Sequence, residues 1–417
     1  MKRRGFLEKG IAGLGGAMLY STSGTGNIFT NLKEPRFMGL NEIPVPIPID
    51  ESDFARRREK ARILMLSAGI DAVIMEGGTT LQYFTGVKWG RSERVFAYIL
   101  PKDGDGVFLS PAFEQERARE QVKNHDLKTW EEFENPFIHL KDLCLKLNPK
   151  ISSIALDEYT RYFIGDNLKK VLPSVGMYAA NAITIGCRSV KSQSEIALME
   201  IANLITAKVF VSAVDSLKVG MTEFELATYI SDEFRKYKSE GGALVLFGKS
   251  SASPHGSIKE NRLKEGDIVL IDGGCSVEGY QSDVTRTTVF GKATEEMKRV
   301  FECVRKAQDD ALKLSAPGIE AEKIDAIARK TIVDGGFGPP YKYFTHRLGH
   351  GIGMDGHEWN YLVEGNKLPV VTGNVFSNEP GIYIPGKFGV RTEDEMLITD
   401  KGARLLLNPA ESLEKMF

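Results

Sequence analysis

The chain has 417 residues, more than one hydrophobic core usually organises, so two domains are expected. Hydrophobic residues make up 42% and charged residues 26%, ordinary values for a globular protein, and a formal net charge of −2 excludes the basic footprint of a nucleic-acid or anionic-membrane binder. No continuous apolar run reaches the roughly 18 residues of a strong membrane span, and Cys144, Cys187, Cys275 and Cys303 lack the spacing of a zinc knuckle or disulfide framework.

Residues 1–25 open with Arg3 and Arg4 before Phe6 and Leu7, then a Gly/Ala-rich, weakly apolar stretch and small polar residues. That order is the pattern of a secretory signal, and the arginine pair resembles the twin-arginine type. Export to a periplasm or beyond is therefore expected, with a cytoplasmic location if the segment is not a working signal. Residues 26–50 end in IPVPIPID, whose prolines favour an extended linker. From Phe54 to Ala68 a helix is expected, its apolar face formed by Ala61, Ile63, Leu64 and Leu66. Short apolar runs follow, DAVIMEG, LQYFTG, RVFAYILP and GVFLSP, read as strands. Helical stretches (EQERAREQVKNH, FIHLKDLCLKL) and two final strands (ISSIALD, VGMYAANAI) complete an α/β domain over 51–185.

A second domain, 186–417, starts near Cys187. Ser192 with Glu195 and Thr222 with Glu225 have capping-box spacing, each opening a helix. A second helix pair, MKRVFECVRKAQDDALKL and IEAEKIDAIARKTI, recurs further on, so an internal two-fold repeat is expected. The run Ile268–Ile271 reads as a strand buried on both faces, ended by Asp272. Gly279 supplies the turn that returns the chain beside it at Asp283.

Five residues in five segments carry the chemistry: Asp272 in DIVLIDGG, Asp283 in SDVTRT, His350 in HRLGHGIG, Glu379 in SNEPGIY and Glu393 in VRTEDE. A lone strand-end Asp caps turns and a lone His is commonly a satisfied polar residue. The set is different, because a buried carboxylate is costly unless paired or ligated. Four carboxylates and an imidazole suit two divalent ions, which generate a hydroxide nucleophile and polarise a carbonyl. Pro380 interrupts the strand beside Glu379. Glu393 shares its strand parity with Arg391 and Glu395, so Glu395 is its rival. His255, His346 and His357 cluster around these motifs. Arg391 either binds a substrate carboxylate or holds a neighbouring acid.

These segments resemble the M24 metallopeptidases, the pita-bread family of methionyl aminopeptidase, aminopeptidase P and prolidase. The resemblance implies an α/β, creatinase-like N-terminal domain followed by an α+β pita-bread catalytic domain. It also implies two metal ions per chain, manganese favoured over cobalt or zinc, held by Asp272, Asp283, His350, Glu379 and Glu393. Glu379 is then a proton shuttle as well, His255 faces substrate, and His346 and His357 line the pocket. The creatinase-like domain, His255 in PHG and the MDGHEWNYLVEGN segment point to the proline-specific branch. The expected activity is hydrolysis of Xaa-Pro bonds at peptide N-termini or in dipeptides, with a lean to the aminopeptidase, by a homodimer or higher homo-oligomer. Trp89 is a candidate to close the pocket from a partner subunit, and equally a candidate for a core or dimer contact. The rival classes are a creatinase-like hydrolase that needs no metal and an inactive peptide-binding module on the same fold.

Overall fold

In the computed structural model, residues 43–259 and 261–417 are described, and they fall into two compact units. The expected export signal and residues 26–42 of the expected linker lie outside them. Residues 43–50 have no regular structure, and Asp50 caps the first helix by accepting from Ser52 and Asp53 N–H.

The unit Ile49–Arg188 is built on a six-stranded sheet of order β4-β3-β2-β1-β5-β6. Its strands are β1 (Ala72–Glu76), β2 (Ala97–Pro101), β3 (Val107–Pro111), β4 (Asp126–Trp130), β5 (Ser153–Leu156) and β6 (Gly176–Ala179). β2 runs antiparallel to β1 and β3, and the remaining pairs are parallel. Ile74, Ile99, Leu109 and Ile154 pack with Leu140 and Leu168 of the helices Pro136–Leu147 and Tyr162–Val171. Each such burial stabilises the unit by about 1.5–3 kcal/mol.

Two expectations for this unit need correction, and a third, left open between alternatives, is decided. The segment LQYFTG is a helix, Thr79–Thr85, closed by Gly86 in the left-handed conformation, because Gly78 and Gly86 bracket a single short turn-rich segment. The helix Glu51–Ala68 forms, but Ile63 and Leu66 are exposed and its buried side carries Arg57, Arg58, Ala61 and Met65. The reason is capping: Arg57 and Arg58 donate to the carbonyls of Tyr83 and Phe84, which end the short helix and lack partners within it. Trp89 is buried, stacked on Phe96 at 4.1 Å with Arg117 over its ring, so it is a core residue of this unit.

In the second unit, Ser189–Phe417 with residues 43–48, both predicted capping boxes form, at the helices Gln193–Asp215 and Glu223–Lys236. The first helix is long and apolar enough to cross a membrane by length and composition, yet it is mostly buried and packs on the strand Ile268–Val277 as a core helix. Strands β7 (Glu240–Phe247), β8 (Ile268–Val277), β9 (Tyr280–Gln281) and β10 (Val284–Val289) follow in one antiparallel sheet. The second helix pair, Glu295–Leu314 and Ala321–Ile332, precedes a five-stranded sheet of order β12-β11-β13-β16-β17. These strands are β11 (Gly349–Gly351), β12 (Glu358–Leu362), β13 (Val375–Asn378), β16 (Asp394–Thr399) and β17 (Gly402–Leu405), with the hairpin β14 (Gly381–Ile384) and β15 (Phe388–Arg391) between. The helix-pair-then-sheet plan is thus repeated, as a pita-bread fold requires. The backbones of Thr285 and Glu393 exchange hydrogen bonds of 3.3 and 3.1 Å, tying the two halves together where the acidic motifs meet.

Candidate metal centre

Ile268–Ile271 are fully buried, and the apolar run ends where Asp272 points into a polar recess. Gly279, at φ 89°, turns the chain, and β10 returns with Thr285 opposite Asp272. Asp283 lies just before β10, its N–H donating to Glu395 Oε1 at 2.8 Å. Glu393 enters through the Thr285 bridge, and the Thr285 hydroxyl donates to its carboxylate at 2.6 Å. From the other half, β11 brings His350. Its neighbour Gly349 must be glycine, since a Cβ there would lie 1.9 Å from the Ser377 carbonyl. Glu379 sits in the break between β13 and β14 caused by Pro380, with Ser377 Oγ donating to it at 3.2 Å.

The donor atoms fall into three overlapping groups, each within 4.8 Å: Asp272, Asp283 and Glu393; His350, Glu379 and Glu393; and Asp283, His350 and His357. All five candidate ligands converge. Glu395 is in none of these groups; it holds the backbone of Asp283 from behind. His350 Nδ1 faces the Gly351 carbonyl at 3.0 Å, and a carbonyl only accepts, so Nδ1 carries the proton. Nε2 is thereby left as a lone pair 3.4 Å from Glu379 and 3.7 Å from Asp283.

Burial, then repulsion among themselves, drives the carboxyls of Asp283, Glu379 and Glu393 well above the usual range. Asp272 and Glu379 act on Asp283, and Asp283 and Asp272 act on Glu393. Burial pushes His350 down to about 3, with His357 the next cause. Crowded, buried acids beside a neutral imidazole are a strained arrangement until cations enter. The oxygen-rich donor set therefore fits hard divalent ions.

Arg391 places its guanidinium in this cluster and donates four hydrogen bonds from it. It reaches Asp272 at 2.5 Å, Thr285 Oγ1 at 3.2 Å, Tyr383 Oη at 2.7 Å and the Pro254 carbonyl at 3.3 Å. Burial opposes its charge, but Tyr383 and Asp272 hold it firmly protonated. Of the two contacts expected of Arg391, the structure shows the one to a neighbouring acid, Asp272. Tyr383, which the sequence did not single out, donates to His346 Nε2 at 2.7 Å, because His346 Nδ1 is engaged with the Arg347 carbonyl at 2.8 Å. Burial, then Arg391, takes His346 down to about 4, so its ring is neutral at pH 7. His357 is exposed, with its ring 4.0 Å from that of His350. His255 is exposed on the loop after the Gly248–Ala252 turn and joins no donor group. A second missed residue is Thr285, whose hydroxyl joins Glu393 to Arg391. Both have a faint signal, a polar atom two or four positions from a ligand on a period-two strand.

An α/β unit followed by a repeated αβ unit, with acids and an imidazole converging between its halves, defines a hydrolase of the metal-binding type. The chain belongs to metallopeptidase family M24: residues 197–400 match the model of that family and residues 57–190 that of the creatinase/prolidase N-terminal domain. An uncharacterised peptidase of Schizosaccharomyces pombe is 37% identical over 376 residues, covering 85% of this chain and 81% of the relative. An uncharacterised peptidase of Staphylococcus aureus is 34% identical, covering 81% and 94%. Among solved structures, a prolidase from Thermococcus sibiricus superposes with a TM-score of 0.78 at 32% identity, covering 85% of this chain and 97% of that one. A dipeptidase from Mycobacterium ulcerans gives 0.81 at 29% identity, covering 88% and 98%. An X-Pro aminopeptidase from Thermotoga maritima gives 0.75 at 27%, covering 85% and 98%.

Proposed function

We propose that this peptidase hydrolyses the Xaa-Pro bond with two divalent ions held by Asp272, Asp283, His350, Glu379 and Glu393, manganese being the preferred metal. The observation that carries the reading is the convergence of those donors, from five separate segments, into overlapping groups no wider than 4.8 Å. Bound there, the ions would supply a water activated at neutral pH and a Lewis acid for the scissile carbonyl. The side chains supply the rest. Glu379, whose carboxyl burial holds well above its usual range, takes the proton of the attacking water and returns it to the proline nitrogen, which must be protonated to leave. His357, at the open edge of the cluster, donates to the developing oxyanion. Arg391 keeps Asp272 in place, Tyr383 fixes the ring of His346 at the pocket wall, and His255 approaches the substrate from its exposed loop.

Proline is preferred because its ring fills the pocket and its missing N–H leaves no unpaired donor there. An alanine in its place strands a buried N–H, costing about 1–3 kcal/mol. The length preference turns on another cation. Four of the five guanidinium donors of Arg391 are engaged within the protein, whereas Arg347 sits over the Tyr361 ring, 4.0 Å from its centroid, with no carboxylate partner among the described residues. Its charge is felt by both His350 and His357. This supports acceptance of Xaa-Pro dipeptides alongside longer peptides, with Arg347 receiving the free carboxylate.

The test is a panel of Xaa-Pro, Xaa-Pro-Yaa and Xaa-Ala peptides with protein stripped by chelator and then reloaded. Cleavage confined to proline peptides and dependent on added manganese, cobalt or zinc is expected. Equal cleavage of alanine peptides would replace the reading with a general aminopeptidase. Full activity in protein shown to be metal-free would favour the creatinase-like alternative, and no activity with no metal uptake the inactive binding module.

A further inference from the structure

We infer that Asp325 and Arg329 are positioning residues that set the place of His346. The inference rests on the proposed pocket role of His346 for its kinetic arm only. Residues 338–348, between the helix Ala321–Ile332 and β11, form no regular structure. Arg329 reaches out of that helix with its guanidinium packed between two rings of the loop, 3.8 Å from the centroid of Tyr341 and 4.3 Å from that of Phe344. It donates to the Phe344 carbonyl at 2.9 Å and to the His346 carbonyl. Asp325 accepts from Arg329 twice, at 2.6 and 2.9 Å, and its Oδ1 also accepts the Leu348 N–H at 2.9 Å.

One buried pair therefore grips residues 344, 346 and 348, bracketing the imidazole, and the carbonyls of Phe344 and His346 take no other hydrogen bond among the described residues. A buried ion pair is a poor device for stability alone, since its desolvation offsets most of its attraction. It is a good device for specifying one backbone geometry. The planar fork of arginine matches two carbonyls and a carboxylate at once, which a lysine ammonium does not. His346 needs that accuracy, because both its ring nitrogens are committed, one to Tyr383 and one to the Arg347 carbonyl.

The test combines a double-mutant cycle with a spectroscopic reading of the ring. Arg329→Lys keeps the charge beside Asp325 while removing the fork; if it does not fold, Asp325→Asn, which leaves the two carbonyl bonds, replaces it. Relative to folded wild type, kcat should fall about 10- to 100-fold, as a ~1 Å displacement of a catalytic group does, with KM moved less than about threefold. In the His346→Ala background the same change should cost less than about threefold, because residues acting through one another are non-additive. Equal loss in both backgrounds would make the pair merely structural and overturn the inference. Independently of any substrate, ring 15N shifts of His346 in labelled protein should show a single Nδ1–H tautomer in wild type and a tautomer mixture in the variant. Unchanged shifts would also overturn it. If the protein cuts no Xaa-Pro peptide, the proposed function fails and the 15N arm still decides this inference.

Discussion

Changing Glu393 to glutamine should stabilise the protein when no metal is bound and destabilise it, relative to wild type, when metal is added. In the metal-free state the Glu393 carboxylate has donor atoms of Asp272, Asp283 and Glu379 within 4.8 Å. At an effective dielectric near 20, two unit charges about 5 Å apart repel by about 3 kcal/mol. Partial protonation and the attraction of Arg391 reduce what remains, so a net gain of about 1–3 kcal/mol is expected. For a unit of ~200 residues that is about 2–4 °C in Tm for each kcal/mol. Glutamine keeps an oxygen for the Thr285 hydroxyl, so no hydrogen bond is lost with the charge. The pH dependence has a fixed sign. A carboxyl whose folded pKa is raised contributes stability that is complete below its unfolded pKa, 4.5 for this glutamate, and is lost as pH rises through the folded value. The variant should therefore match wild type near pH 4 and gain on it steadily toward neutrality. Thermal unfolding in chelator from pH 4 to pH 8, then with manganese, reads this directly, since a bound ion stabilises only the protein that can hold it. A metal-free variant less stable than wild type at neutral pH would refute the electrostatic account of the cluster.

Asp283→Asn should reduce kcat by at least about a thousandfold and lower metal content while leaving the circular-dichroism spectrum unchanged, because an amide is a poor ligand for a hard cation and the Asp283 N–H bond to Glu395 is kept; near-normal rates at full metal content would remove it from the ligand set. Arg347→Gln should raise KM for Xaa-Pro dipeptides about tenfold or more, the worth of a hydrogen bond to a charged group, and leave Xaa-Pro amides within about twofold; parallel changes in both would show that Arg347 does not meet the carboxylate. A reporter fused after residue 50 should be exported by a host with twin-arginine transport and retained after Arg3→Lys with Arg4→Lys, and export that ignores both changes would point to another route.

The convergence of the acidic motifs was legible because each is short, local and chemically expensive to bury, so that a strand running IVLI into Asp272, or a Pro directly after Glu379, stands out without tertiary information. Capping boxes at Ser192 and Thr222 were readable for the same reason, since both partners lie within one turn. What the sequence could not show depends on contacts between distant segments. Glu393 and Glu395 have the same parity, and only the Thr285 bridge decides which faces the cluster. Arg391 looked available for a substrate until Tyr383, Thr285 and the Pro254 carbonyl were brought around it. In the first helix the error ran the other way: Ile63 and Leu66 set the expected face, while Arg57 and Arg58 are buried because two carbonyls 26 residues further along the chain needed donors.

Arg286 carries a practical consequence for anyone handling this protein. It is wholly buried beneath the acidic cluster, ion-paired to Asp394 and bonded to the carbonyls of Glu393, Asn408 and Met416, with its guanidinium 4.6 Å from the centroid of the Phe417 ring. Thr288, on the same strand, donates to the Leu413 carbonyl. Residues 413–417 thus pack against the strand that lies beneath the acidic cluster. Trimming residues 413–417 would strip a buried cation of a hydrogen bond, and an affinity tag attached there would pull on β10, whose Thr285 is bonded to Glu393.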